Sequence, residues 1–148
     1  MTAWLLDTDI LSELRRARPD PKVIKIISDQ SLETLYVSAV TFAEIRFGIE
    51  RVEDVQKREV MLDWLTHRLR PMFNERVLAV SEDLMFRWRL LVGDGRKEGH
   101  TFSQSDIFIA ATALHHGLTM VTRNILDFER AKVQLLNPWK TVRKSKKN

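Results

Sequence analysis

Apolar residues along this chain fall into two alternating rhythms. Short unbroken runs have the length and composition of buried strands: Ala3-Trp4-Leu5-Leu6, Leu35-Tyr36-Val37, Val77-Leu78-Ala79-Val80, Leu118 to Thr122 and Val133 to Leu136. Between them, apolar positions recur every three or four residues, the spacing of one helix face. Thr8 to about Arg15 reads as a helix carrying Ile10, Leu11 and Leu14, and Asp20-Pro21 opens a second one with Val23, Ile24, Ile26 and Ile27. A helix follows from about Ala39 to Arg51, and another from Val55 to Leu69 with Leu62, Leu65 and Leu69 in step. Ser81 caps a helix with Leu84, Trp88 and Leu91 on one side, and Ser103 opens an Ile- and Ala-rich helix that stops at Gly117. Gly93 to His100, with three glycines and four charged residues, reads as a loop. Strands alternating with helices predict an α/β fold, a mainly parallel sheet with helices on both faces. In open sheets of that kind ligands bind beyond the carboxyl ends of the strands.

Composition narrows the class. A chain of 148 residues is one domain by size, and at that length it needs no disulfide to fold. It has no cysteine, which suits a reducing compartment, so a cytoplasmic location is expected, and zinc sites or nucleophiles built on thiols are excluded. No apolar run approaches a membrane span, and the acids within MTAWLLDTDI argue against an export signal. The formal charge of +4 invites a nucleic-acid partner, but its placement is uneven. The tail from Pro138 to Asn148 holds Lys140, Arg143, Lys144, Lys146 and Lys147 and no acid. Of the 24 basic residues this leaves 19 against 20 acidic ones, so the body is close to neutral. The tail can strengthen contact with phosphates in a salt-dependent way or merely aid solubility.

Asp7 and Asp9 directly follow the first strand, at the expected binding edge. Each candidate acid also has an ordinary explanation. Asp7 suits a turn or a helix cap; Thr41-Phe42-Ala43-Glu44 and Ser103-Gln104-Ser105-Asp106 resemble capping boxes; Asn124 with Asp127 resembles the start of a short helix. Two features weigh against these. On a helix Glu44 shares its face with Val40, Phe47 and Gly48, and Asp106 shares its face with Phe102, Ile109, Ala110 and Ala113. Both faces are expected to turn toward the sheet, and burying an uncompensated carboxylate costs several kcal/mol. A shared divalent cation resolves that cost, and an all-oxygen donor set suits Mg²⁺ or Mn²⁺. The histidines offer no zinc site: His115 and His116 are adjacent, and His67 and His100 are isolated. There is no glycine-rich phosphate loop after a strand and no G-x-S-x-G elbow, and Trp64, Phe86 and Trp88 occupy core-like positions, leaving no aromatic platform for single-stranded bases.

Four blocks in order carry a resemblance. They are Leu6-Asp7-Thr8-Asp9; Val37 to Ile45 with Glu44; Asp106 with Ile109 to Ala113; and Val121-Thr122-Arg123-Asn124 with Asp127-Phe128. Together they resemble the PIN-domain family, most of all its VapC-type toxins including the FitB-like branch, whose members often share the Asn137-Pro138-Trp139 ending. The similarity spans Leu5 to Trp139. It implies a PIN-like nuclease domain over 1–137 with strand order 3-2-1-4-5; the charge placement makes 138–148 a basic tail expected to be disordered. It further implies Mg²⁺-dependent cleavage of RNA, often transfer RNA, in a toxin–antitoxin setting with a small VapB-like antitoxin, and a homodimer. Asp7 and Asp106 then match the family's most constant metal ligands, and Glu44 matches its second acid. The fourth position falls to Asp127, which keeps its charge, with Asn124 as a neutral ligand or orienting group. Asp9 departs from the family's usual Asn, and Thr122 stands as a supporting hydroxyl.

The implied chemistry is phosphodiester hydrolysis with one or two metal ions. Arg46 and Arg123 are candidate contacts to the RNA backbone, or plain salt-bridge partners. Two other classes compete. One is an inactive PIN-like domain that binds nucleic acid or regulates; the other is a phosphatase, suggested by the D-x-D pattern of Asp7-Thr8-Asp9, though the later Lys and acidic pair it needs cannot be placed.

Overall fold

A computed structural model describes residues 2–99 and 103–140. Strands β1 (Trp4–Leu6), β2 (Leu35–Ser38), β3 (Val77–Leu78), β4 (Thr119–Val121) and β5 (Leu135–Leu136) form one sheet in the order β3-β2-β1-β4-β5, every neighbouring pair parallel. The expected order 3-2-1-4-5 is thus observed. The period of two along each strand divides the core. Leu6 of β1, Leu35 and Val37 of β2 and Val121 of β4 enter one buried cluster, whereas Leu5 and Met120 enter the other. Helices cover both faces, so neither side of the sheet meets water.

The first cluster is closed by α1 (Thr8–Arg15), α2 (Pro21–Ser28) and α3 (Ala39–Glu50), through Ile10, Leu11, Val23, Ile27, Phe42 and Ile49. Leu65, Leu69 and Phe73 complete it from a long helical stretch. That stretch comprises α4 (Val55–Trp64), a π-helical segment (Leu65–Leu69) and α5 (Arg70–Phe73). The sequence places its end at Leu69, but it continues through Pro71. Proline has no N–H to donate and its ring crowds the carbonyl four residues back, so the turn just before it widens instead of ending. The second cluster is closed by α7 (Gln104–His116) and α8 (Ile125–Glu129), with α6 (Glu82–Lys97) packed on α7. Trp88 of α6 stacks on Phe108 of α7 at 5.0 Å between ring centroids, with planes 8° apart.

Further boundaries differ from the sequence reading. The loop expected from Gly93 to His100 is helix as far as Lys97. Each glycine weakens a helix by about 1 kcal/mol, but α6 is fastened by its Ser81 cap and its packing on α7, and Gly95 is buried within it. β3 ends at Leu78 rather than Val80, because its partner β2 turns into α3 after Ser38 and leaves nothing to pair with. Pro138–Lys140, assigned by sequence to the tail, form a 3-10 turn with Pro138 buried and Trp139 packed against the first cluster. His100, Phe102 and the tail residues Arg143, Lys144, Lys146 and Lys147 lie outside the described residues. Among the described residues no helix is long and apolar enough to cross a membrane.

Candidate active site

Each acid arrives at the carboxyl edge of the sheet by a short route. β1 runs straight into α1, with Asp7 as the cap between them; its Oδ1 accepts from the Thr8 N–H at 2.8 Å. The backbone N–H of Asp7 donates to the Val121 carbonyl, extending the β1–β4 ladder one step past β1. β4 then leads into Thr122, whose hydroxyl donates to Asp7 Oδ2 at 2.8 Å and lies 3.4 Å from Asp9 Oδ2. The same hydroxyl accepts from the Asn124 N–H, and the Arg123 N–H donates to Asp9 Oδ2 at 2.9 Å. Asp7, Asp9 and Thr122 therefore form one tight knot. Thr122 is fully buried and Asp7 only 7% exposed.

The remaining acids stand around that knot. The Ser103 hydroxyl caps α7 by accepting from the Asp106 N–H, so the capping box suggested by the sequence is half present. Glu44 is different. The cap of α3 is Ser38, not Thr41, and Glu44 Oε1 accepts from the Thr8 hydroxyl at 3.2 Å, reaching across to α1. Nor does its helix face turn to the core as expected. Thr41, Phe42 and Ile49 are the buried residues of α3, while Phe47 beside Glu44 is 64% exposed. Glu44 lines an open groove with Phe47, Gly48 and Phe108. Asp127 lies exposed in the first turn of α8. Asn124 makes no side-chain cap there and lines a separate cavity with Trp139. Arg46 is exposed two residues beyond Glu44, a spacing that puts it on another side of the helix.

Proximity shows in the electrostatics. Burial, then the nearby Asp9 charge, pushes the Asp7 carboxyl up to about 7, against the lowering effect of its bonds from Thr122 and Thr8; Asp106 adds a smaller upward push. Burial also raises Asp9. Asp106 is raised by burial, opposed by Ser103, and raised further by Asp127 and Glu44. Asp7, Asp9 and Asp106 thus form one field that Glu44 and Asp127 join from the rim. Among the described residues no three acidic or histidine side chains stand close enough to make a ready-made metal cage. The acids stand near one another without closing on a point. Yet Asp9 Oδ1 is buried with no hydrogen-bond partner. A buried, unpartnered carboxylate oxygen beside a second carboxylate is an electrostatic debt that a hard cation would cancel, and the donors here, carboxylates and one hydroxyl, are the oxygen ligands such a cation takes. The residues fit the metal.

A cavity of about 890 Å³, lined by Leu14, Arg15, Ile24, Trp64 and Met72 among others, is touched by none of these acids. Trp139, noted in the sequence only as part of the Asn137-Pro138-Trp139 ending, has its ring centre 4.2 Å from the Arg123 guanidinium carbon. Its only sequence signal is the Asn-Pro that precedes it.

A five-stranded parallel sheet in this order, with carboxylates gathered at its carboxyl edge, is the architecture of the PIN domain, and the chain belongs to that family: the PIN domain profile matches residues 4–133. Its relatives are specific. It is similar to VapC ribonuclease Y4jK of Sinorhizobium fredii, 36% identical over 135 residues, covering 91% of this chain and 96% of that one. It is also similar to toxin FitB of Neisseria gonorrhoeae, 33% identical over 91% of this chain and 97% of FitB. The crystal structure of FitAcB from the same organism superposes with a TM-score of 0.88 at 33% identity, covering 93% of this chain and 99% of its counterpart.

Proposed function

We propose that this chain is a divalent-metal-dependent endoribonuclease, the toxin of a toxin–antitoxin pair, cutting structured RNA such as transfer RNA. The observation that carries the reading is the knot at the sheet edge: Asp7 raised to about 7, and an Asp9 oxygen buried without a partner, beside Asp106. Such an arrangement disfavours the metal-free state, which a protein with no use for a cation would not retain. The names of the relatives, a VapC ribonuclease and a toxin, point the same way. A structural neighbour at 30% identity is FitAB bound to a DNA fragment, which supports a partner protein for this chain as well.

Asp7 and Asp106 would hold the ion, Mg²⁺ or Mn²⁺, with Glu44 and Asp127 completing its surroundings from the rim. When bound, such an ion lowers the pKa of a coordinated water and neutralises charge on the phosphate oxygens. The chain's own contributions are positional. Thr122 fixes the Asp7 carboxylate with a 2.8 Å bond, and Thr8 fixes Glu44. The Arg123 N–H holds Asp9, the extra acid, in register with both.

The test is cleavage of a labelled RNA by the purified full chain. EDTA should abolish it and added Mn²⁺ or Mg²⁺ should restore it, and Asp106→Asn should be inactive while keeping the native circular dichroism. Cleavage that persists in chelator, or in the Asp106 variant, overturns the assignment.

A further inference from the structure

The segment Thr122-Arg123-Asn124 has two sides. One faces the carboxylates; the other forms a wall of a cavity of about 760 Å³ between the start of α2, the start of α8 and the turn at Pro138–Lys140. Its lining is unlike that of the acid site. Lys22, Arg123 and Lys140 supply three cations, and the one acid, Asp20, is engaged in accepting from the Lys22 N–H at 2.9 Å as the cap of α2. Asn124 and Asn137 add amides, and Leu126, 78% exposed, adds an apolar edge.

Arg123 is not a loose surface cation. Its guanidinium carbon sits 4.2 Å from the centre of the Trp139 ring, close cation–π range. Trp139 is itself anchored: its backbone N–H donates to Asn137 Oδ1 at 3.0 Å, Pro138 before it is buried, and its ring packs on the core. The indole thus holds the arginine at the one place where the cationic cavity borders the acids. A polyanion needs such a device here. The body of the chain before Pro138 is near neutral, and the carboxylates of the site repel phosphate, so cations placed beside the site are needed to hold a strand there.

We infer that this cavity holds the RNA strand next to the scissile bond, with Arg123, Lys22 and Lys140 contacting the adjoining phosphates and Trp139 acting as the positioning residue for Arg123. The inference rests on the ribonuclease reading and extends it to the path of the substrate. A single strand fits better than a duplex, because the exposed Leu126 offers apolar surface to an unpaired base.

Binding can be separated from cleavage. In EDTA, anisotropy of a fluorescent single-stranded oligoribonucleotide is followed with the full chain across 50 to 300 mM salt. Lys22→Ala, Arg123→Ala and Lys140→Ala should each weaken binding, Arg123→Ala by about tenfold, and each should lower the salt slope by about 0.7, the value for one phosphate contact on a single strand. Trp139→Leu should weaken binding as Arg123→Ala does, and the double variant no further, since the tryptophan acts through the arginine. If Trp139→Leu fails to fold, Trp139→Phe, which keeps a ring under the cation, should bind nearly as the parent. Unchanged affinity and slope in the three cation variants overturn the inference. So does loss of an acidic protein partner with RNA binding intact, which would make the cavity a protein-docking site. If wild type cuts RNA with Mn²⁺ while these variants bind normally, only the strand path is wrong; if wild type does not cut, the ribonuclease reading itself has failed.

Discussion

Replacing Asp7 by Asn should separate the stability of this fold from its chemistry. In the metal-free protein Asp7 is 7% exposed and its carboxyl titrates at about 7, against 3.8 in the unfolded chain. The native state therefore holds a proton that the unfolded state has released. Stability falls as pH rises from about 4 to about 7, is undiminished below that window, and bears the full penalty above it. At 1.36 kcal/mol per pH unit, a gap of about three units sets a ceiling of ~4 kcal/mol on that penalty. Asparagine carries no charge and keeps an oxygen to accept from the Thr8 N–H. It forfeits the bond from the Thr122 hydroxyl to a charged oxygen, worth ~2 kcal/mol. The balance is a gain of ~2 kcal/mol at pH 8, or about 4 to 8 °C in Tm for a domain of this size. Scanning calorimetry on EDTA-treated protein should show the variant melting above wild type at pH 8, with the difference gone or reversed at pH 4. Added Mg²⁺ should raise the wild-type Tm at pH 8 and leave the variant unmoved, while the variant cuts no RNA. Equal melting of the two proteins at both pH values would refute the claim that Asp7 is a charge stranded by burial.

Thr122→Val removes the hydroxyl that lowers the Asp7 carboxyl, so Asp7 should titrate higher still; the Mn²⁺ concentration giving half-maximal cleavage at pH 6 should rise about tenfold per unit of that rise. Glu44→Gln, at the rim and hydrogen-bonded to Thr8, should slow cleavage less than Asp106→Asn does, measured as kcat on the same RNA. Gly117 closes α7 with φ of 66°, so Gly117→Ala should cost about 1 kcal/mol and 2 to 4 °C in Tm. Gly93 lies inside α6 with open space where a Cβ would stand, so Gly93→Ala should instead stabilise by roughly 0.5–1 kcal/mol in the same melting assay.

The sheet and most helices were legible because their signals are local. Unbroken apolar runs marked the strands, and Asp20-Pro21, Ser81, Ser103 and Gly117 punctuated the helices where the structure has them. Asp7 and Asp106 were legible as partners because the topology left both at one edge, and the Asp106 charge adds to the upward push on Asp7. What stayed hidden depends on tertiary contact. Helical spacing put Glu44 on an apolar face, but periodicity cannot say whether an apolar face is covered, and here Phe47 beside it is open. Glycines in α6 look like a loop until α7 is packed against them. The partnership of Arg123 with Trp139 spans the last strand and the turn beyond it, and no local pattern announces such a pair.

The hydrogen bond from Thr122 to Asp7 joins residues 115 positions apart. β1 lies in the middle of the sheet, flanked by β2, which follows it soon, and by β4, which comes near the end. During synthesis the first acid of the site therefore waits, with its strand half paired, until β4 has been made. A nascent fragment ending before Thr119 has neither β4 nor the hydroxyl that fixes Asp7. The order in which the chain is made keeps the site unassembled until Thr122 has emerged to meet Asp7.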